Sequence, residues 1–357
     1  VSDQAAGATA GDRPGPSDRF GWRWALRGAL SLSLAGVLLG YVLPRVTGTR
    51  WSQIADVVAR LSASDVAVLT TVWLIGIWSY GFVITGSVPG MRHAQAMTVN
   101  VTSSAVSNLV PFGGALGLAV TFAMARSWGF TSGAVALSAL VTGIWNVFAK
   151  LALPMAGLAA LALAPGASTT WLVRPAAIGA ALLAVALAVL VGTLWSETVA
   201  RATGRVVESV GQTALRLIGS TRRLTWDRAV PHGRQRVIGL VRTGWLRLTL
   251  GLVGFLTTQA VLLYLILTML GSTLGPAQVF AGFAFGRLLT TIVVTPGGTG
   301  FTETGTAGLL VALGGDPAVC ASAVLLFSGF VVFLEIPVGA LGYGLWLARG
   351  SWRRPLP

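Results

Sequence analysis

The chain has 357 residues, of which 54% are hydrophobic and only 10% charged, with a mean hydropathy of +0.77. Soluble domains carry about 25% charged residues, so a soluble enzyme, a disordered chain and a disulfide scaffold are excluded. An all-α polytopic membrane protein is the class that remains. The net charge of +14 is carried by basic residues lying between apolar runs, as membrane-flanking charge does. Cys320 is the one cysteine, and His93 and His232 are far apart, so no metal-ligand spacing is present and no metal or cofactor is expected.

Residues 1–19 are rich in Gly, Ala, Asp, Pro and Ser and read as a disordered tail. The run Trp24–Val42 is too long for a signal-peptide core, which spans roughly 7–15 residues, and predicts a first span. Residues 51–62 are mildly amphipathic and suit the membrane interface; a second span follows at about Asp65–Gly86. Residues 91–109 carry Gln95, Asn100, Ser103, Ser104, Ser107 and Asn108, too polar a set to face lipid. Then Val110-Pro111-Phe112-Gly113-Gly114 breaks the helix before an apolar stretch to Ala125. Helix, Pro/Gly break, helix predicts a re-entrant hairpin, whose irregular backbone needs protein or a water-filled cavity around it.

Residues 131–163 predict a span kinked at Pro154, and Val173–Trp195 another. Residues 197–247 predict a soluble segment with ten arginines against Glu197, Glu208 and Asp227. It reads either as a solvated topogenic loop or as an amphipathic helix on anionic headgroups. No nucleic-acid reader motif accompanies it, and nucleic acid is not expected as a partner. A span at about Leu248–Leu270 follows, then a second broken element: apolar residues 277–294, Thr295-Pro296-Gly297-Gly298-Thr299-Gly300, and a helix over Phe301–Leu313. The last span, Ala318–Trp346, is predicted to break near Pro337.

Six full spans and two re-entrant hairpins place the basic termini and the 197–247 segment in the cytoplasm of a cell membrane by the positive-inside rule. The hairpins would then enter from opposite faces. VPFGG (110–114) against VTPGG (294–298) suggests an inverted repeat, an arrangement that puts a binding site near the midplane. The alternative is that Pro-Gly-Gly only kinks two packed helices.

The strongest local signal is Pro296-Gly297-Gly298-Thr299-Gly300-Phe301-Thr302-Glu303. A helix starting near Thr299 would aim unpaired N–H groups into the bundle, where they attract anions. An intramembrane carboxylate is costly, so Glu303 is read as a proton relay, a cation ligand or a partner of Arg287, or else as a structural salt bridge or helix-end charge. Lys150 and Glu335 also lie inside apolar runs, each near a proline, and either pair with each other or line a cavity. Asn108 and Asn146 suit hydrogen bonds to a ligand or between helices.

PGGTGFTE, the upstream FGRLL with Arg287, the downstream GGDPAVCASAVLLF and the earlier NLVPFGGALG resemble the lysylphosphatidylglycerol synthase transmembrane (flippase-like) family. The resemblance covers roughly residues 20–350, with a short basic tail at 351–357. It implies lipid handling: transbilayer movement of a phospholipid, an anionic one foremost, or of a lipid-linked molecule. The sequence ends at Pro357 without an aminoacyl-transferase segment, so the expectation is a stand-alone membrane member and not a synthase. The stretch Leu118–Thr121 lacks the acidic residue and arginine that many relatives carry, and Ser328 stands where many have an arginine. The pathway residues implied are Glu303, Arg287, Pro296, Gly297, Gly298, Gly300, Pro111, Gly113, Gly114, Asn108, Lys150 and Glu335. No Asp-x-Asp pair, nucleotide loop or His/Asp cluster is present, so no enzymatic role is expected. The rival reading is a non-transporting scaffold for a lipid- or glycan-synthesis enzyme.

Overall fold

The computed structural model of the protein describes residues 36–109, 113–164, 230–290 and 299–348, with isolated positions at 33, 178, 181, 185, 188, 189, 192 and 198; for 230–236 it describes the backbone alone. Most of the predicted first span, the predicted span Val173–Trp195, both tails and the larger part of the 197–247 segment lie outside the described residues. So do Pro111, Pro296, Gly297 and Gly298.

All regular structure among the described residues is helical. A π-helical turn at Leu38–Val42 runs into α1 (Leu43–Thr47), followed by α2 (Trp51–Val58), α3 (Ala63–Ser87), α4 (His93–Leu109), α5 (Gly114–Ser127) and α6 (Ser132–Ala162). After residue 229 come α7 (Val230–Met269), α8 (Pro276–Leu289), α9 (Phe301–Ala312) and α10 (Pro317–Ser328). A second π-helical turn, Gly329–Phe333, then leads to α11 (Glu335–Ala348). Four stretches are long and apolar enough to cross a membrane: α3, α6, Val237–Met269 within α7, and Pro317–Ala348. The chain is therefore a multi-pass membrane protein.

Helix starts follow local chemistry. The Ser62 hydroxyl accepts from Asp65 N–H at 3.2 Å while the Asp65 carboxylate accepts from Ser62 N–H at 2.9 Å, a reciprocal cap for α3. Thr131 caps α6 and Asp316 caps α10, with Pro317 at the first helical position.

The arms α4, α5, α8 and α9 have 17, 14, 14 and 12 residues. At 1.5 Å per residue they reach about 18–25 Å, short of a hydrocarbon core of about 30 Å. Each pair folds back on itself. A Cβ on Gly113 would collide with the Ser107 carbonyl, and one on Gly117 with the Ser107 hydroxyl, so only glycine lets α5 lie this close to α4. In the second pair, Gly282 faces Leu310 and Gly286 faces Thr306.

The packing is reciprocal. The segments α3–α4–α5–α6 and α7–α8–α9–α10/α11 have the same order: span, hairpin, span. Helix α3 packs on α7, its own equivalent. Helix α4 packs on α11, and its equivalent α8 packs on α6, the equivalent of α10/α11. Contacts between α3 and α7 run in opposite directions: Gly76 meets Thr258, Val83 meets Gly251 and Gly86 meets Gly244. Equivalent helices that pair antiparallel, with exchanged partners on either side, are the pattern of inverted repeats. Small residues along the α3–α7 seam supply the close approach that membrane helices need in the absence of a hydrophobic driving force between them.

Three boundaries differ from the sequence expectation. The span predicted from Leu248 begins about eleven residues earlier, as Leu240, Gly244 and Leu248 turn one buried face to the bundle while Arg242 and Arg247 stay exposed. The break expected near Pro337 lies upstream, in the π-helical turn closed by Leu334 N–H on the Gly329 carbonyl at 2.8 Å. Proline lacks an N–H and crowds the preceding turn, so the disturbance falls on its N-terminal side. The helix expected from Thr299 starts at Phe301, with Gly300 as its cap at φ +90°, a conformation suited to glycine.

Candidate functional site

A cavity of about 620 Å³ opens where the first hairpin, α3, α6, α7, α8 and the start of α11 converge. Its wall is unusually polar for an apolar chain. Helix α4 turns Asn100, Ser103, Ser104, Ser107 and Asn108 toward it, which explains why that stretch read as too polar for lipid. Across from them stand Thr142, Asn146 and Lys150 of α6, Gln259 of α7, and Arg287 and Thr290 of α8. The N-terminal turn of α5 reaches the same wall through Gly114, where an added Cβ would meet open space.

Arg287 is held by aromatic faces. Its guanidinium lies 5.7 Å from the Phe255 ring centroid and 5.9 Å from that of Phe283. Phe255 is in turn fixed edge-on by Tyr80 at 4.9 Å, whose hydroxyl accepts from Asn146 Nδ2 at 3.2 Å. Among the described residues no acceptor hydrogen-bonds the guanidinium, and Lys150 likewise has none. Glu335 is the carboxylate that Arg287 faces, near enough for electrostatic attraction but without a direct ion pair. Glu335 instead accepts from Asn108 Nδ2 at 3.2 Å, a bond between α4 and α11. The wall therefore carries two cations and one carboxylate, with hydroxyls and side-chain amides around them, several already bonded to helix carbonyls.

A smaller void of about 70 Å³ lies behind Arg287, between α8, α9 and α10. Glu303 lines it and is 3% exposed. Its Oε2 accepts from Gly300 N–H at 2.5 Å and its Oε1 from the Ser328 hydroxyl at 2.6 Å. The N-terminus of α9 thus serves the chain's own carboxylate, and the anion expected there is already built in. The hydroxyls of Thr302 and Thr306 reach the same void, with no hydrogen-bond partner among the described residues.

The chain matches the family described as the lysylphosphatidylglycerol synthase TM region over residues 24–339. It belongs to the lysylphosphatidylglycerol synthase transmembrane family. No curated protein matches it in sequence.

In this member of the family, the structure brings Asn108, Gly114, Lys150, Arg287 and Glu335 to one cavity. Gly113 lets α5 lie close to Ser107 of α4, and Gly300 caps α9. Two of the pairings left open by the sequence do not form among the described residues. Glu303 does not pair with Arg287, because its cap and Ser328 use its oxygens. Lys150 and Glu335 form no ion pair among the described residues and instead both line the cavity. Asn146 acts as the interhelical bond expected of it, to Tyr80, and also lines the cavity. Sequence reasoning passed over Gln259, 5% exposed, whose amide oxygen is buried without a partner at the cavity wall. Its signal was a lone amide inside the apolar run from Leu248 to Met269.

Proposed function

We infer that the protein moves an anionic phospholipid between the leaflets of a bacterial cell membrane, acting as a transporter without chemistry on the lipid. The headgroup phosphate would sit in the large cavity between Arg287 and Lys150, with its acyl chains outside in the bilayer. The observation that carries this reading is Arg287: a cation inside a membrane bundle that lines a cavity and, among the described residues, meets no hydrogen-bond acceptor. Such a group is expensive unless it has a ligand to serve. A guanidinium suits a phosphate diester because its forked donors match two oxygens at once. The free N-terminal turn of α5 adds a second favourable dipole at the same wall.

The short arms α4–α5 and α8–α9 support re-entrant hairpins that enter from opposite faces, with both termini and the arginine-rich segment in the cytoplasm. The test is leaflet exchange of fluorescent phosphatidylglycerol in proteoliposomes, read with a membrane-impermeant quencher. Exchange by the wild type and its loss in Arg287→Gln support the reading. Absence of exchange by folded wild-type protein, with a synthesis enzyme recovered bound to the chain at equal stoichiometry, overturns it in favour of a scaffold.

A further inference from the structure

Glu335 stands where the cavity's charges make opposite demands. It begins α11, just after the π-helical turn, and such turns mark functional positions in helices. Asn108 donates to its Oε2 from α4, with Ser104 alongside. Arg287 faces it from α8 and Tyr80 from α3, and Lys150 of α6 lies on the Arg287 side. No other titratable side chain lines the cavity among the described residues.

In the empty cavity Arg287 is the counter-charge of Glu335. A phosphate diester claims that same cation and sets a second anion beside the carboxylate. Lys150, on the α6 wall of the same cavity, serves the phosphate alongside Arg287. Two anions sharing one cationic site in a low dielectric resolve the conflict by protonating the weaker acid. We propose that Glu335 is a proton site coupled to headgroup binding: it takes up one proton as an anionic headgroup engages Arg287 and releases it when the headgroup leaves. A hydronium ion in the cavity gives up one O–H bond, its proton adds to a Glu335 carboxylate oxygen and a water molecule is left; on release the carboxyl O–H breaks and the proton returns to water. The proposal rests on the headgroup reading above and adds its coupling ion.

The sign follows from linkage. If binding takes up one proton, affinity for the anion weakens about tenfold for each unit rise in pH, between the bound-state and free-state titration of Glu335. The test is binding of short-chain phosphatidylglycerol, which has no amine, to the purified full chain between about pH 5.5 and 8.5. Wild type should show the tenfold-per-unit fall over part of that range. Glu335→Gln mimics the protonated form and still accepts from Asn108, so it should bind at every pH as tightly as the wild type does at the acid end. A measurement on the wild type alone guards against a misfolded variant: calorimetry in two buffers of different ionisation enthalpy should count about one proton taken up per lipid. A flat wild-type profile with tight binding, or a slope retained in Glu335→Gln, overturns the proton site and leaves the headgroup reading intact. Failure of folded wild type to bind the lipid at any pH overturns both.

Discussion

Replacing Arg287 separates a ligand-binding cation from a structural one, because the two roles predict opposite signs for stability. Among the described residues its guanidinium lies against the Phe255 and Phe283 rings, at 5.7 and 5.9 Å, and feels the Glu335 carboxylate without a direct ion pair or hydrogen bond. Cation–π contacts of this kind stabilise by about 0.5–1 kcal/mol each, and more when desolvated. Against them stands the cost of a cation without a direct ion pair in a low-dielectric interior, several kcal/mol before relaxation and only partly offset by Glu335. Arg287→Gln should therefore leave the lipid-free protein as stable as the wild type or raise its melting temperature by about 1–3 °C. Transport should move the other way. Two charge-assisted hydrogen bonds to a phosphate contribute about 1.5–3 kcal/mol each. At 1.4 kcal/mol per decade their loss lowers lipid affinity about 100- to 20,000-fold. Arg287→Lys keeps the charge but not the fork, and should fall about tenfold. The assay is exchange of fluorescent phosphatidylglycerol in proteoliposomes, paired with thermal melts in detergent. Arg287→Gln exchanging at close to the wild-type rate, or melting well below it, would refute the argument.

Two further substitutions test the frame around the site. Glu303→Ala leaves Gly300 N–H and the Ser328 hydroxyl unpaired and should cost about 2–4 kcal/mol. Glu303→Gln keeps both bonds, accepting from Gly300 and donating to Ser328, and should stay within about 1 kcal/mol of wild type in the same melts. The reciprocal packing is tested in a Cys320→Ala background with Gly157→Cys and Ala284→Cys. A Cβ at Gly157 lies 3.1 Å from that of Ala284, and a small easing reaches disulfide geometry, so an α6–α8 cross-link should form on oxidation. No cross-link in folded protein would count against the exchanged pairing of the repeats.

What was legible in the sequence was what hydropathy and backbone chemistry encode. The spans α3 and α6 follow from apolar length. The short helices α4, α5, α8 and α9 follow from the polar stretch 91–109 and from apolar runs too short to cross a membrane. The start of the span in α7 was misplaced because its arginines lowered the local hydropathy. The buried stripe Leu240–Gly244–Leu248 carried the better signal, since a helix face can remain apolar while its other side is charged. The charge pairing was not legible. Whether Arg287 meets Glu303 or Glu335 depends on α8 packing on α6 while α4 packs on α11, and residue spacing within one helix says nothing about an exchange between repeats. Burial decided the case of Glu303, whose two short bonds make it part of the α9 cap.

The two repeats place unequal voids at corresponding hairpins: about 620 Å³ beside α4–α5 and about 70 Å³ beside α8–α9, with Arg287 on the wall of both. In an inverted repeat, a conformation that opens one hairpin has a counterpart that opens the other. Lipid exchange by this fold then requires the smaller void to widen. Thr306 reports on that step, because it is 5% exposed and its hydroxyl lines the smaller void without a partner. In the Cys320→Ala background, Ser107→Cys at the larger cavity should react at once with a small methanethiosulfonate. Thr306→Cys should be protected without lipid and should become reactive during phosphatidylglycerol exchange, by at least about tenfold if the opened state rises from a minor to a comparable population. Protection of Thr306→Cys that is indifferent to lipid, in a protein that still exchanges it, would mean that the headgroup passes through the larger cavity alone and that the second void serves only to seat Glu303.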